Sequence, residues 1–284
     1  MKRAPPTPRR EAHEGGHPTA HPLRAPRTAN RMHSAKTGLL IVNADDWGRT
    51  IDTTDHILEC FSARRITSTT AMVYMADSDR AAATALDNRL AVGLHLNLTE
   101  NFTDPATPPA IRERQARIVR RLKRTTFWMR WLYNPIARRE IELCIADQFD
   151  RFNALYRQPP THFDGHQDVH IYPNVALSRT IPSGMKARGL PPHPVGSMPL
   201  HGVARGIRKR VVSRRFRSPE YFFGIRDLHP RVGGSRLMEK LALADAGSVE
   251  VMTHPGVADE RLCLMSEEWQ RALTGRPMGS FADL

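Results

Sequence analysis

The chain is poor in cysteine. Three occur in 284 residues, Cys60, Cys144 and Cys263, far apart and odd in number. With no CxxC pair, a disulfide framework and a cysteine-based zinc site are both disfavoured, and a reducing compartment, the cytoplasm, is the expected location. Each cysteine reads as a small buried hydrophobe. Long apolar runs are also missing. The run at 38–42 is typical, far short of the ~20 residues that span a bilayer, so a soluble chain is expected. Residues 1–37 lack the apolar core of a secretory signal, and no internal repeat is visible. The hydrophobic fraction is 40%, low for a globular protein. A chain of this length still buries a sizeable core, as one large α/β domain or two small ones.

Charge of one sign is plentiful but local. The net charge is +13. Residues 1–37 contribute +6 and residues 205–217 contribute +7, so the rest sums to neutral. A protein built throughout for nucleic acid is not expected. Both runs read first as a solvated tail and a solvated loop, with peripheral contact to phosphate or anionic lipid headgroups as the sharper alternative. Residues 1–37, rich in Pro, Arg, His and Ala, read as a disordered basic tail, and Met32 offers an alternative start. The domain proper is expected over 38–284.

From residue 38 the pattern becomes regular. A short buried strand is predicted at 38–43, with strands at 67–73, 90–98, from 162 and at 248–254. Helices are predicted at 53–63, 76–86, 110–133, 136–156 and 266–273. In the long helix, Ile141, Cys144, Ile145, Gln148, Phe152 and Leu155 fall near one face, and Pro159-Pro160 ends it. Strands alternating with helices imply an α/β fold: a parallel sheet or barrel with right-handed crossovers.

Polar residues gather at the ends of these strands, where parallel α/β folds build their sites. The first strand runs into Asp45-Asp46, two adjacent carboxylates that can divide the work of metal ligand and base. Alone, the pair reads better as a helix-capping turn. In the third strand His95 shares a face with Gly93 and Asn97, opposite the stripe Leu94, Leu96 and Leu98. A lone histidine there is more often a hydrogen-bonded core residue. The densest cluster is His162, Asp164, His166, Asp168 and His170. These share parity if extended, and His166 and His170 share a face if helical; either way two imidazoles can approach one ion. The last strand ends at His254, before a Pro255-Gly256 turn.

The joint pattern outweighs its parts. Asp, His, His and His fall at four strand ends that converge. Two histidines with one carboxylate form a common facial set for a divalent ion and leave positions open for water and substrate. The same set serves non-haem iron oxygenases, but those expect a β-rich jelly roll, and the paired carboxylates favour hydrolysis. A non-catalytic barrel binding a metal or a polyanion is the other alternative.

Five stretches, 41–48 (IVNADDWG), 67–71 (TSTTA), 93–99 (GLHLNLT), 161–173 (THFDGHQDVHIYP) and 251–256 (VMTHPG), resemble in content and order the motifs of the YdjC-like carbohydrate deacetylases. That family includes chitooligosaccharide deacetylase and the hopanoid-associated deacetylase-like proteins. The resemblance implies a distorted or incomplete (β/α) TIM-like barrel and a divalent metal, commonly magnesium, with zinc the alternative. It implies an N-acetylated saccharide or sugar-bearing lipid as substrate, a hydrolase acting on amide bonds, and often a homodimer. By position it implies Asp46, His95 and His166 as metal ligands and Asp45 as general base. His254 becomes acid or oxyanion stabiliser, while His170 and Asp164 orient the ligands. Three departures are visible. Asp168 stands where the family usually has a histidine, so it is expected to favour a cation or to bond His170. Trp47 replaces a phenylalanine. After Gly189, where the family continues into a strand bearing an arginine, the chain reads LPPHPVG, and proline cannot serve a central strand. The barrel is therefore expected to be open or rebuilt there, or the basic run behind it to be an insertion.

Overall fold

The computed structural model describes residues 38–125, 132–189, 210, 212–228 and 236–284, all within the compact unit Lys36–Leu284. The tail expected at 1–37, the proline-rich stretch at 190–196 and the first part of the basic run at 205–217 lie outside the described residues.

Six strands form one parallel sheet: β1 (Leu39–Trp47), β2 (Ser68–Ala71), β3 (Val92–Leu96), β4 (Phe163–Gly165), β5 (Tyr221–Gly224) and β6 (Ser248–Thr253). Their order is β4-β3-β2-β1-β6-β5, and every pairing is parallel. The sheet curls into a half-barrel with helices packed against it. Isolated bridges carry the ladder past β4, from Phe163 to Ala187 and from Lys186 to Arg217. The expected barrel is thus present in incomplete form.

The connections explain the pattern of the sequence. Helix α1 (Ile51–Ser62) joins β1 to β2, and Thr50 caps it by accepting from the Thr53 amide. Helix α2 (Ser78–Asp87) joins β2 to β3. Two helices, α3 (Pro109–Arg124) and α4 (Pro135–Tyr156), fill the passage from β3 to β4. The single helix expected over 110–133 therefore ends early. Thr125 turns extended at ψ 129°, and a new start follows at Asn134-Pro135. Asn134 caps Ile136 and Ala137 there, with proline at the first helical position, where its missing N–H costs nothing. Three short helices close the chain's second half, Leu237–Leu241, Ala258–Leu264 and Glu267–Leu273. No helix among the described residues is long and apolar enough to cross a membrane. All three cysteines are free and buried, as expected.

Strand β1 is buried at every position, which is why its first residues are all apolar. Leu40, Val42 and Ala44 join the main core beneath the helices. Leu39 and Ile41 face the opposite way and pack with Phe281. One arginine of the described part of the basic run, Arg215, is half-buried and donates to the carbonyls of Ala176 and Ile181; Arg217 is exposed and donates to that of Leu284.

Candidate active site

The site begins with an irregularity in β1. Adjacent side chains of a regular strand point to opposite faces, so Asp45 and Asp46 could not both face one site. Between Ala44 and Trp47 the register slips: three steps along β1 match two along β2. This is a bulge, which re-aims side chains. Asp46 absorbs it with a left-handed backbone, φ 72°, a conformation that Asp tolerates better than most residues.

Asp45 keeps the inward direction of Asn43. Its carboxylate receives Asn43 Nδ2 at 3.0 Å and both terminal nitrogens of Arg188, at 2.7 and 2.5 Å. Arg188 also reaches Asp164 Oδ2 at 2.6 Å and, through Nε, Glu250 Oε1 at 2.8 Å. One buried guanidinium thus serves three buried carboxylates. Burial alone would raise the Asp45 pKa, but the Arg188 charge outweighs it and holds the group well below the usual carboxylate range. Glu250, although bonded to Arg188, is pushed up by burial to about 7.

Asp46 faces two imidazoles. His166 Nδ1 lies 3.1 Å and His95 Nε2 3.4 Å from its Oδ1. Neither contact has hydrogen-bond geometry, and this buried oxygen has no hydrogen-bond partner. The other oxygen accepts from Arg49 Nη1 at 3.3 Å. On the far side of its ring, His95 Nδ1 meets Asp164 Oδ1 at 2.6 Å. That bond anchors the ring at Nδ1 and turns Nε2 towards Asp46. Burial opposes charge on His95, but Asp164 and Asp45 overcome it and push its pKa up to about 10. Ligand atoms of Asp46, His95 and His166 all lie within 4.8 Å of one another, as do those of Asp45, His95 and Asp164. Arg188 already holds the second group, so the first is the one suited to an ion. Glu100 closes its rim, 3.5 Å from His166 Nε2 and bonded to Arg49.

His254 Nε2 stands 3.7 Å from Asp45 Oδ2, and its side chain is 31% exposed. Its Nδ1 lies 3.2 Å from Glu260 Oε2, and its backbone amide donates to the same oxygen. Burial would lower the His254 pKa; the Glu260 carboxylate reverses this and raises it. Arg226 Nε donates in turn to Glu260 Oε1 at 2.8 Å.

All five residues singled out in the sequence, Asp45, Asp46, His95, His166 and His254, therefore meet at one strand-end cluster. The rest of the dense motif divides. Asp164 orients His95, as expected. The segment is extended only to Gly165; it then enters a 3-10 turn broken by left-handed Gln167 and Asp168. His170 ends up buried with neither ring nitrogen bonded, its pKa pushed down by burial to about 3. It orients no ligand and is not joined to Asp168. His162 turns into the barrel floor and stacks on Phe281. Sequence reading missed Arg188, Glu260, Glu100 and Arg49. Arg188 lies one residue before Gly189, after the two-residue bridge at Lys186 and Ala187.

A family model described as YdjC-like protein matches residues 39–276. The chain belongs to that family. A chitooligosaccharide deacetylase of Serratia marcescens is 29% identical over 225 residues, 78% of this chain and 83% of the relative. A chitooligosaccharide deacetylase of Yersinia pestis (strain Pestoides F) is 30% identical over 231 residues, 79% of this chain and 84% of the relative. Among solved structures, an Enterococcus faecalis V583 protein named for cellobiose-phosphate cleavage superposes with a TM-score of 0.60 at 20% identity. It covers 87% of this chain and 98% of its own, so this YdjC-like protein shares its fold.

Proposed function

We propose that this YdjC-like protein is a metal-dependent hydrolase that removes the acetyl group from an N-acetylated sugar or sugar-bearing lipid. The observation that carries the reading is Asp46 Oδ1, buried and unbonded between two imidazole nitrogens, beside a separate Asp45–His254 pair.

The donor set fits a divalent ion. Of the four buried carboxylates Asp45, Asp46, Asp164 and Glu250, Arg188 reaches all but Asp46. Asp46 Oδ1 is left without a hydrogen-bond partner, and uncompensated buried charge is costly. The resemblance points to magnesium, whereas two imidazoles with one carboxylate favour a softer ion such as zinc. Asp46, His95 and His166 would hold a divalent ion, which would supply Lewis acidity, lowering the pKa of water from ~16 towards ~7 and drawing charge from a carbonyl oxygen.

The chain's own groups do the proton work. Asp45 orients the attacking water and takes its proton at Oδ2, the oxygen nearer His254. A carboxylate held so low by Arg188 is a weak base, so it carries an acidified proton rather than abstracting one unaided. His254 donates from Nε2 to the leaving nitrogen, while Glu260 holds Nδ1 and keeps the ring charged. Water's oxygen ends in acetate, the C–N bond breaks, and the sugar leaves as an amine.

Purified protein is expected to hold about one divalent ion per chain and to release acetate from N-acetylglucosamine oligomers or N-acetylated glycolipids. Chelation abolishes release, and Asp46→Asn loses both metal and turnover. Metal at full occupancy with no acetate from a broad N-acetyl panel sinks this reading in favour of a non-catalytic metal-binding barrel.

A further inference from the structure

Helices α3 and α4 form an antiparallel hairpin rooted at the site and reaching away from it. At its base the Gln115 side chain donates to the Glu100 carbonyl, and Gln148 Oε1 accepts from the Asn97 amide at 2.8 Å. Arg114 pairs with Asp147 beside them, and farther along the hairpin Arg117 Nε lies 2.7 Å from Glu140. Gln148 is level with the end of β3, and the fourteen residues back to Asn134 carry the hairpin ~20 Å past that level at 1.5 Å per residue. Asn134 and Asn174 exchange two bonds, at 2.8 and 2.7 Å, which tie this far end to the segment that follows His166. The hairpin therefore rises on the side of the sheet where the site opens.

Its far end carries side chains that water does not favour. Ile136 is 86% exposed, Leu132 64% and Tyr133 42%. Leu132 lines a cavity of about 50 Å³ together with Arg121 and Thr125, so the apolar residues adjoin the end of α3. Around them Arg120, Arg121, Lys123, Arg124 and Arg139 are exposed, and none has an acidic partner among the described residues. Nucleic acid would use the cations but leave Ile136 and Leu132 in water. A lipid interface rewards both: apolar and aromatic side chains sit at the headgroup–acyl boundary while arginines meet phosphate.

We propose that the far end of the α3–α4 hairpin docks on an anionic lipid bilayer, with Leu132, Tyr133 and Ile136 entering the headgroup boundary and the surrounding arginines meeting lipid phosphate. The strand-end site then faces the membrane.

Co-sedimentation of the full chain with vesicles tests this. Wild-type protein is expected to sediment with phosphatidylglycerol–phosphatidylcholine vesicles, more weakly as salt rises, and poorly with phosphatidylcholine alone. The charge-neutral pair Leu132→Ser, Ile136→Ser and the charge-reversing pair Arg121→Glu, Lys123→Glu should each lower partitioning roughly ten-fold or more, with thermal unfolding unchanged. Failure of wild-type protein to bind anionic vesicles overturns the proposal. So does equal binding by the variants, which would assign attachment to the basic residues at 1–37 or 205–217. Duplex DNA binding that survives the serine pair, without vesicle binding, overturns it in favour of nucleic acid. The readout needs no turnover, so it stands or falls apart from the hydrolase reading.

Discussion

Arg188 holds Asp45, Asp164 and Glu250 at once, and all four residues are buried. The guanidinium fork suits this task because it offers five fixed donors and keeps its charge when desolvated. Its neighbours raise its proton affinity further against the cost of burial. Removing it differs from removing an ordinary surface ion pair, since three carboxylates would stay behind in a low-dielectric interior. Arg188→Met is expected to cost about 3–5 kcal/mol of stability at pH 7, read as a lower urea midpoint. The loss should shrink as pH falls and the stranded carboxylates take up protons. A surface-like cost below about 1 kcal/mol would show that the network is not held by this residue. Arg188→Lys keeps the charge but not the fork, and should fall between the two.

Elements decide what Asp45 and His254 can do. The turn after β6 passes Pro255-Gly256 and enters the helix Ala258–Leu264, whose first turn returns Glu260 to His254. A charged His254 is the useful form for an acid, and its pKa is raised over the ordinary value of 6.5. Turnover should therefore hold below that raised pKa and fall as pH rises through it. Glu260→Gln removes the charge that raises it, so the alkaline limb of kcat is expected to move to lower pH while the metal content stays unchanged. An alkaline limb that does not move would remove His254 as the group responsible. The sequence revealed this strand end but not its partner, because Glu260 sits in an amphipathic helix with no chemical signature. Long periodic segments such as β1 and α4 were legible from buried runs and spacing, and so were the strand-end histidines. The bulge at Asp46 and the two-residue bridge before Arg188 were not, because neither has a period to read. Both are set by tertiary pairing between distant strands, which is also why parity misjudged His162 and His170.

At the scale of the whole molecule the half-barrel has two unlike ends. The carboxylates and imidazoles lie at the strand C-termini. The opposite end is apolar and is closed by the last residues of the chain, where Leu40 bonds to Pro277 and Gly279 bonds back to Leu40. Phe281 is fully buried there against Leu39 and Ile41 and stacks on His162, with centroids 3.6 Å apart and planes 8° from parallel. The fit is tight enough that a Cβ on Gly93 would sit 2.5 Å from the His162 ring. Desolvation first, then the Arg188 charge, pushes the His162 pKa well below its usual value, so this end holds the imidazole stacked on Phe281 and bonded at Nδ1 to the Thr161 hydroxyl, 2.9 Å away. Along β1 the step from Ile41 to Asp45 is four residues, ~13 Å at 3.3 Å per residue. Across that distance the site is braced by Arg188 and not by Phe281. Phe281→Ala is accordingly expected to cost about 3–5 kcal/mol through the cavity it leaves, seen as a lower midpoint in urea. Below the unfolding transition, metal content and kcat/KM should match the parent protein. If instead metal occupancy falls in step with stability while the protein remains folded, the two ends are mechanically coupled, and the floor of the barrel belongs to the active site's support.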